Sequence, residues 1–449
     1  MKLRENMRIN AAGHLEIAGC DTVDLAREYG TPLYVLDEEM VRYQCRAYRE
    51  ALAEYYPDSM VVFAAKALMT MAITRIIDEE GLGLDVVSGG ELYTAYKAGF
   101  PMEKIIFHGN NKSPEELQMA LEYGVGIIVV DNLLELERLN KMALQKGRKA
   151  SVLFRLTPGV EAHTHSYTQT GQQDSKFGLG IRDGVAREAI THALTLPGIE
   201  VKGVHCHIGS QIFDIEPYKL AVNVMFDFLE ELRTAAGFEA EILDMGGGLG
   251  IVYHEGDQPA TIEECVQLIA GAAREEAERR NYPLPKLVLE PGRSLVGEAG
   301  TTLYTVGSIK EIPGIRCYLA VDGGMADNPR VALYQAEYEG LIANKANRKR
   351  EKLVTITGKC CESGDMLIWD ILVADPEPGD ILAIFSTGAY NYSMASNYNR
   401  LPRPAMVLVQ KGQADLIVAR ETYEDLIALD RVPARLRLQQ FSAVSGDRP

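Results

Sequence analysis

Residues 61–88, VVFAAKALMTMAITRIIDEEGLGLDVVS, hold one strand, one helix and a second strand in sequence. Five strand-like apolar residues run straight into Lys66, a stretch with helical spacing of apolar positions follows, and a β-rich run begins again at residue 82. The same alternation continues to residue 291, through KIIFHG at 104, GIIVVD at 126, SVLFRL at 151, VKGVHCH at 201, EILDMG at 241 and KLVLEP at 286. The intervening segments, among them EELQMALEYG (115–124), LLELERLNKMALQKG (133–147) and ATIEECVQLIAGAAREEAERR (260–280), are amphipathic, and several end in glycine. Strict alternation predicts a parallel sheet, and a count of eight strands predicts closure into an α/β (β/α)8 TIM barrel.

Nearly every run ends in residues able to do chemistry: Lys66, Asp85 and Ser88, His108 and Asn110, Asp131, Arg155, His207 and Ser210, Asp244, and Glu290 with Arg293. Strand C-termini converge at one mouth of a barrel, so these ends read as one site. After about residue 300 the texture changes to short pieces such as CYLAVDGG, KLVTITG and DILAIFSTGAY broken by Gly, Pro and Asp. That predicts an antiparallel β-sandwich or β-barrel domain, which the β-rich opening segment joins. The expected division is 1–38 with the β domain, 39–299 as the barrel, and 300–449 as the C-terminal β domain.

The 449 residues, 47% of them hydrophobic, suffice for two domains. With 46 Lys and Arg against 63 Asp and Glu, the net charge of −17 repels nucleic acid and anionic membrane, which leaves small molecules as partners. Seven cysteines without a CxxC pair suit a reducing compartment, and neither a signal segment nor a long uncharged apolar run is present, so the expectation is cytoplasmic.

A lysine is ordinarily a surface residue, but at a barrel rim desolvation lowers an amine's pKa and makes it a Schiff-base nucleophile. Either the substrate or pyridoxal 5'-phosphate could be its carbonyl partner. DMGGGLG (244–250) after the seventh strand and EPGR (290–293) after the eighth favour the cofactor, because barrels often hold phosphate there on backbone N–H groups. A tight loop also needs glycine, so the cluster counts through its place in the order. Glu290 could be a plain rim carboxylate. Beside a pyridine ring it would keep the ring nitrogen protonated. His207, otherwise a hydrogen-bonded core histidine, could stack on that ring. HCH at 205–207 makes a poor metal pattern, since no second ligand pair of zinc type follows it, and HTH at 163–165 has the same weakness. No metal is expected.

Taken together, YGTPLYVLDE, FAAKA, GLGLDVVSGGELYTAYKAGFP, IIFHGNNKSPEEL, VEAHTHSYTQTGQQDSKFG, VHCHIGSQ, DMGGGLG, LEPGRSLVGEAG, DGGMADNPRVALY, CCESGD and GAYNYSMASNYNRLPRP make the chain resemble the fold type III pyridoxal phosphate decarboxylases over almost its whole length. Within that family it is similar to the branch acting on meso-diaminopimelate. The resemblance implies a barrel plus β domain and a head-to-tail homodimer with shared sites. Lys66 is then the covalent attachment point and His207 the stacking ring. Asp85, Ser210, Gly246, Gly247, Gly248, Pro291, Gly292, Arg293 and Tyr390 surround the cofactor, and Glu290 faces its ring nitrogen. Cys361 is implied as the proton donor from the neighbouring subunit, and Arg293, Arg330, Tyr334, Glu362 and Tyr390 as the substrate set. Arginines can clamp the distal carboxylate of diaminopimelate while Glu362 takes its distal ammonium. Lysine offered as substrate lacks that carboxylate.

Val331 stands where the family commonly has proline, and Phe63 where tyrosine is commoner; neither change removes a functional group. Rival expectations are a decarboxylase for another basic amino acid such as ornithine or arginine, an alanine-type racemase, and a non-catalytic homologue. Arg330 and Glu362 oppose the first, Glu290 the second, and the joint presence of Lys66, Glu290 and Cys361 the third. Segment 158–181 is the longest candidate for a closing loop.

Overall fold

The computed structural model describes residues 3–4, 6–160 and 175–436. Each of the eight β-rich runs forms a strand: β1 (Ser59–Ala64), β2 (Gly83–Val86), β3 (Ile105–Phe107), β4 (Ile127–Val130), β5 (Ala150–Thr157), β6 (Ile199–Cys206), β7 (Ile242–Asp244) and β8 (Lys286–Leu289). Every neighbouring pair is parallel, and β8 pairs with β1, so the sheet closes. Side chains alternate between faces of a strand, and the structure sorts them accordingly. Val62, Ile106, Val129, Leu153 and Val288 fill the barrel interior, whereas Val61, Phe63, Phe107, Phe154 and Leu287 face the helices outside.

The helices are set by local chemistry. Pro114–Tyr123 begins at a capping box between Ser113 and Glu116 and ends on Gly124 in the left-handed region, and Ile262–Arg280 starts at the same kind of box between Thr261 and Glu264. A cap of this kind stabilises a helix by about 0.5–2 kcal/mol. Each helix then buries one stripe, for example Val266, Ile269, Ala270, Ala273 and Ala277. Among the described residues no helix is long and apolar enough to cross a membrane.

The second unit is built around the long strand Gly300–Ile312. Its first half pairs antiparallel with Leu33–Asp37 on one side and Ile381–Phe385 on the other, and its second half pairs with Arg316–Val321. A register shift between Val306 and Ile309 bends it from one set of partners to the next. The N-terminal segment thus joins the β domain, as expected. The sheet is mostly antiparallel but not wholly so. Ala405–Gln410 runs parallel to Leu33–Asp37, and Lys352–Thr357 runs parallel to Arg316–Val321. Both pairs are joined by long connections, which parallel pairing requires and a hairpin cannot supply.

Candidate active site

Two residues beyond the apolar layer, on the same inward face of the strands, the barrel carries a polar layer. Asp85, His108, His205, Asp244 and Glu290 are all buried there, and Arg155 is half-buried beside them. All but Asp244, which lies beneath them, line the floor of a cavity of about 1000 Å³ that opens at the strand C-termini.

Glu290 is the anion of this floor. His108 Nε2 donates to its Oε1 at 2.6 Å and His205 Nε2 to its Oε2 at 3.1 Å. Burial opposes its ionisation, but the two imidazoles outweigh that and hold the carboxyl well below the usual range. Burial, aided by repulsion from Glu290, pushes Asp244 well up, and burial raises Asp85. Of the three carboxyls at this depth, Glu290 is the one whose surroundings favour the ionised form. Together His108, His205, Asp244 and Glu290 bring ligand atoms within 4.8 Å of one another, although both rings spend Nε2 on Glu290. This gives the HCH stretch a role the sequence reading missed: His205 anchors the carboxylate, while Cys206 is buried away from the cavity.

Burial pulls His205 down to about 4 from 6.5, so the folded protein keeps this ring neutral. The unfolded chain takes up that proton below pH 6.5. Stability should therefore fall as the pH drops from 6.5 toward 4, and His205→Asn should flatten the urea midpoint across that window.

Lys66 sits at the end of β1, in the 3-10 turn Ala65–Ala67. The turn buries both alanines and leaves the lysine exposed to the cavity. The turn thus directs the amine away from the apolar strand and into the cavity. His207 stands beside it, its imidazole driven well below the ordinary value by burial and by the charges of Lys66 and Arg155. A neutral, flat ring faces the cavity.

The glycines answer to the backbone. A Cβ on Gly247 would lie 2.1 Å from the carbonyl oxygen of Glu290, one on Gly246 2.6 Å from that of Cys206, and one on Gly248 2.4 Å from that of Gly209. Gly246 and Gly248 also have φ of +65° and +121°. The loops after β6, β7 and β8 press main chain against main chain here, a nearer reason for glycine than the phosphate approach inferred from sequence. Gly247, Gly248 and Gly292 line the cavity, with Gly246 and Pro291 behind them.

On the same side Arg293 Nη2 donates to Ser210 Oγ at 2.9 Å, and its guanidinium lies 4.8 Å from the ring of Tyr390. Tyr390 has φ +64°, unusual for a tyrosine, and its N–H is tied to Ala67 O at 2.8 Å. Across the cavity, Arg330 and Tyr334 come from the β domain.

Two expected site residues are not brought here. Cys361 and Glu362 are exposed on the loop between Lys352–Thr357 and Met366–Val373, where the Cys361 N–H donates to Asn399 Oδ1 at 2.7 Å. They lie outside the cavity of their own chain. Of the loop expectation at 158–181, and of HTH at 163–165, residues 161–174 lie outside the described residues. Tyr253 and Tyr338, which contact Arg293 and Arg330, were missed. Tyr253 follows the glycine cluster by five residues, the only available signal, and Tyr338 gives none.

A family model for the pyridoxal-dependent decarboxylases, their pyridoxal binding domain, matches residues 38–297. The diaminopimelate decarboxylase of Bacillus subtilis (strain 168) is 54% identical over 430 residues, 96% of this chain and 98% of that protein. The chain belongs to the diaminopimelate decarboxylases, a branch of the pyridoxal-dependent decarboxylases. The namesake from Synechocystis sp. (strain ATCC 27184 / PCC 6803 / Kazusa) is 48% identical and covers 95% of this chain and 92% of itself. The crystal structure of diaminopimelate decarboxylase from M. jannaschii in co-complex with L-lysine has a TM-score of 0.90 at 40% identity, covering 96% of this chain and 99% of that one.

As a member of this family the enzyme uses pyridoxal phosphate, and its donor set suits that group. An ionised buried carboxylate suits a pyridinium nitrogen, a lysine amine stands in the same cavity, and Ser210 with Arg293 and the glycine turn form a cationic, hydrogen-bonding corner for phosphate. Among the described residues Arg293 Nε and Asp85 Oδ1 are buried without a hydrogen-bond partner, as befits groups awaiting one.

Proposed function

We infer that this enzyme removes carbon dioxide from meso-2,6-diaminopimelate to leave L-lysine, the closing step of lysine synthesis. The observation that carries the substrate reading is the pair of buried guanidiniums. Arg293 and Arg330 are 6% and 5% exposed, and among the described residues neither meets a carboxylate; their partners are tyrosine and serine hydroxyls and aromatic rings. A buried cation without an anion is costly, so this corner is made for anionic ligands. The cofactor phosphate supplies one, and a second carboxylate on the substrate supplies the other. Substrates with a plain basic tail, such as ornithine, leave Arg330 unanswered.

Pyridoxal phosphate, when bound, supplies the sink for the electron pair left by the departing carboxylate. Lys66 would hold it through the amine nitrogen. Glu290 keeps a proton on the ring nitrogen, with His108 and His205 holding the charge in place. His207 lays its neutral ring against the cofactor face. Ser210, Arg293, Tyr390 and the turn of Gly246, Gly247, Gly248, Pro291 and Gly292 hold the phosphate end, and Asp85 lies at the floor beside the ring. Arg330 and Tyr334 take the distal carboxylate.

The remaining two assignments need a second copy of the chain. Cys361 of the partner subunit delivers the proton that replaces carbon dioxide on the α carbon, and Glu362 of the partner subunit takes the distal ammonium. Their exposure on a loop remote from their own cavity supports a homodimer with shared sites. Mixing Lys66→Ala with Cys361→Ala chains should restore up to about a quarter of wild-type turnover, since random pairing leaves one intact site in half the dimers. No recovery would count against sharing. The seven free thiols suit the reducing conditions of the cytoplasm.

Carbon dioxide release from meso-diaminopimelate, with and without added pyridoxal phosphate, tests the whole reading, and equal turnover of lysine or ornithine would overturn it. Arg330→Gln should raise KM for diaminopimelate by roughly 10- to 100-fold, the weight of a charge-assisted contact, with a smaller change in kcat.

A further inference from the structure

Arg293 follows β8, whereas Arg330 opens a short helix of the β domain, so no single element sets the distance between them. One side chain touches both. Tyr253, in the loop after the glycine turn, accepts a hydrogen bond from Arg293 Nη1 at its hydroxyl at 2.6 Å, and the Arg330 guanidinium lies 4.5 Å from the centroid of its ring. Tyr338 completes the arrangement. Its ring meets that of Tyr253 edge-on at 5.4 Å, and its hydroxyl accepts from Arg330 Nη1 at 2.7 Å. Tyr253 and Tyr338 are 5% and 4% exposed and belong to the same apolar cluster as Ile251 and Val331.

We propose that Tyr253 is the positioning residue that spaces Arg293 and Arg330, and thereby sets the preference for ligands bearing a distal carboxylate. Two guanidiniums that lie 5.7 and 4.5 Å from the centroid of one tyrosine ring carry like charges and repel each other. The tyrosine separates them with an aromatic face for one and a hydroxyl for the other, so both stay aimed at the cavity without an acid that would neutralise them. A carboxylate partner in this position would cancel the charge needed for ligand. The proposal rests on the distal-carboxylate reading above.

Two probes isolate the effect. L-Lysine, the product, retains the distal amino-acid group, whereas 1,5-diaminopentane has the same chain and both amines but no carboxylate. The ratio of their inhibition constants against diaminopimelate measures the clamp, and a general loosening of the fold would weaken both together. In the holoenzyme, Tyr253→Leu should lower the preference for L-lysine by about tenfold or more, with KM for diaminopimelate rising more than kcat falls. Tyr253→Phe keeps the ring and loses only the Arg293 bond, so its preference should fall by roughly threefold to tenfold. Should the leucine variant not fold, the phenylalanine variant carries the test. Arg330→Gln is the control. If it collapses the ratio while both Tyr253 variants keep the wild-type value, the inference about Tyr253 is overturned and the clamp stands. If Arg330→Gln leaves the ratio unchanged, the distal-carboxylate reading fails and the inference with it.

Discussion

Lys66→Ala is expected to lower kcat for diaminopimelate by about a thousandfold or more, and to remove the visible absorption band of the holoenzyme. The amine stands at the mouth of β1, exposed to the cavity that Glu290 and His207 also line, and among the described residues the only other lysine lining it is Lys176, on the far loop. Among the described residues no other lysine lines the cavity at the C-terminal end of a barrel strand to take over the attachment. Arginine is no substitute, because a guanidinium stays protonated and cannot act as a nucleophile. Borohydride reduction of the holoenzyme, digestion and mass spectrometry should find the label on the peptide containing Lys66. A label on another peptide, or a variant that keeps both band and turnover, would remove the assignment.

Glu290→Gln is the second large effect, with kcat expected to fall by about a hundredfold to a thousandfold and KM to change by no more than about threefold. The amide leaves the cavity's shape almost unchanged but removes the one carboxyl of the floor whose neighbours favour ionisation. His108 and His205 then lose the anion they point at, and with it goes the main hold on a proton at the ring nitrogen. Asp244 complicates the result in an informative way. Burial and the charge of Glu290 both oppose ionisation of its carboxyl, so losing that charge makes ionisation of Asp244 easier and lets it take over part of the role. Glu290→Gln with Asp244→Asn should therefore be slower than Glu290→Gln alone. Equal rates in the two would show that Asp244 does not substitute, and wild-type turnover in Glu290→Gln would end the assignment to Glu290.

Much of the site was legible because a parallel barrel turns sequence position into spatial position. Once VVFAAK, LGLDVVS, KIIFHG and their successors are read as strands, the residues ending them must meet at one mouth, and Lys66, Asp85, His108, His207 and Glu290 do line one cavity. What could not be read was which strand-end groups touch. His205 looked like half of a weak metal pair because its partner, Glu290, lies 85 residues away. Tyr253 and Tyr338 were invisible for the same reason: they matter through a contact between two domains, and no local pattern records such a contact. The glycines of DMGGGLG were assigned to the right place for an incomplete reason, since the carbonyl oxygens crowding them belong to Cys206, Gly209 and Glu290 on neighbouring loops.

By itself the sequence determined the eight-stranded barrel, the β domain with its N-terminal strand, and the family, because periodicity, caps and motif order are properties of neighbours along the chain. Only the tertiary structure decided that Glu290, among its floor carboxyls, is the one whose neighbours favour ionisation, that Lys66 is open to the cavity, and that two buried arginines have neutral partners. Those are outcomes of burial and of distances between groups far apart in sequence, and both quantities come into being only when the chain has closed on itself.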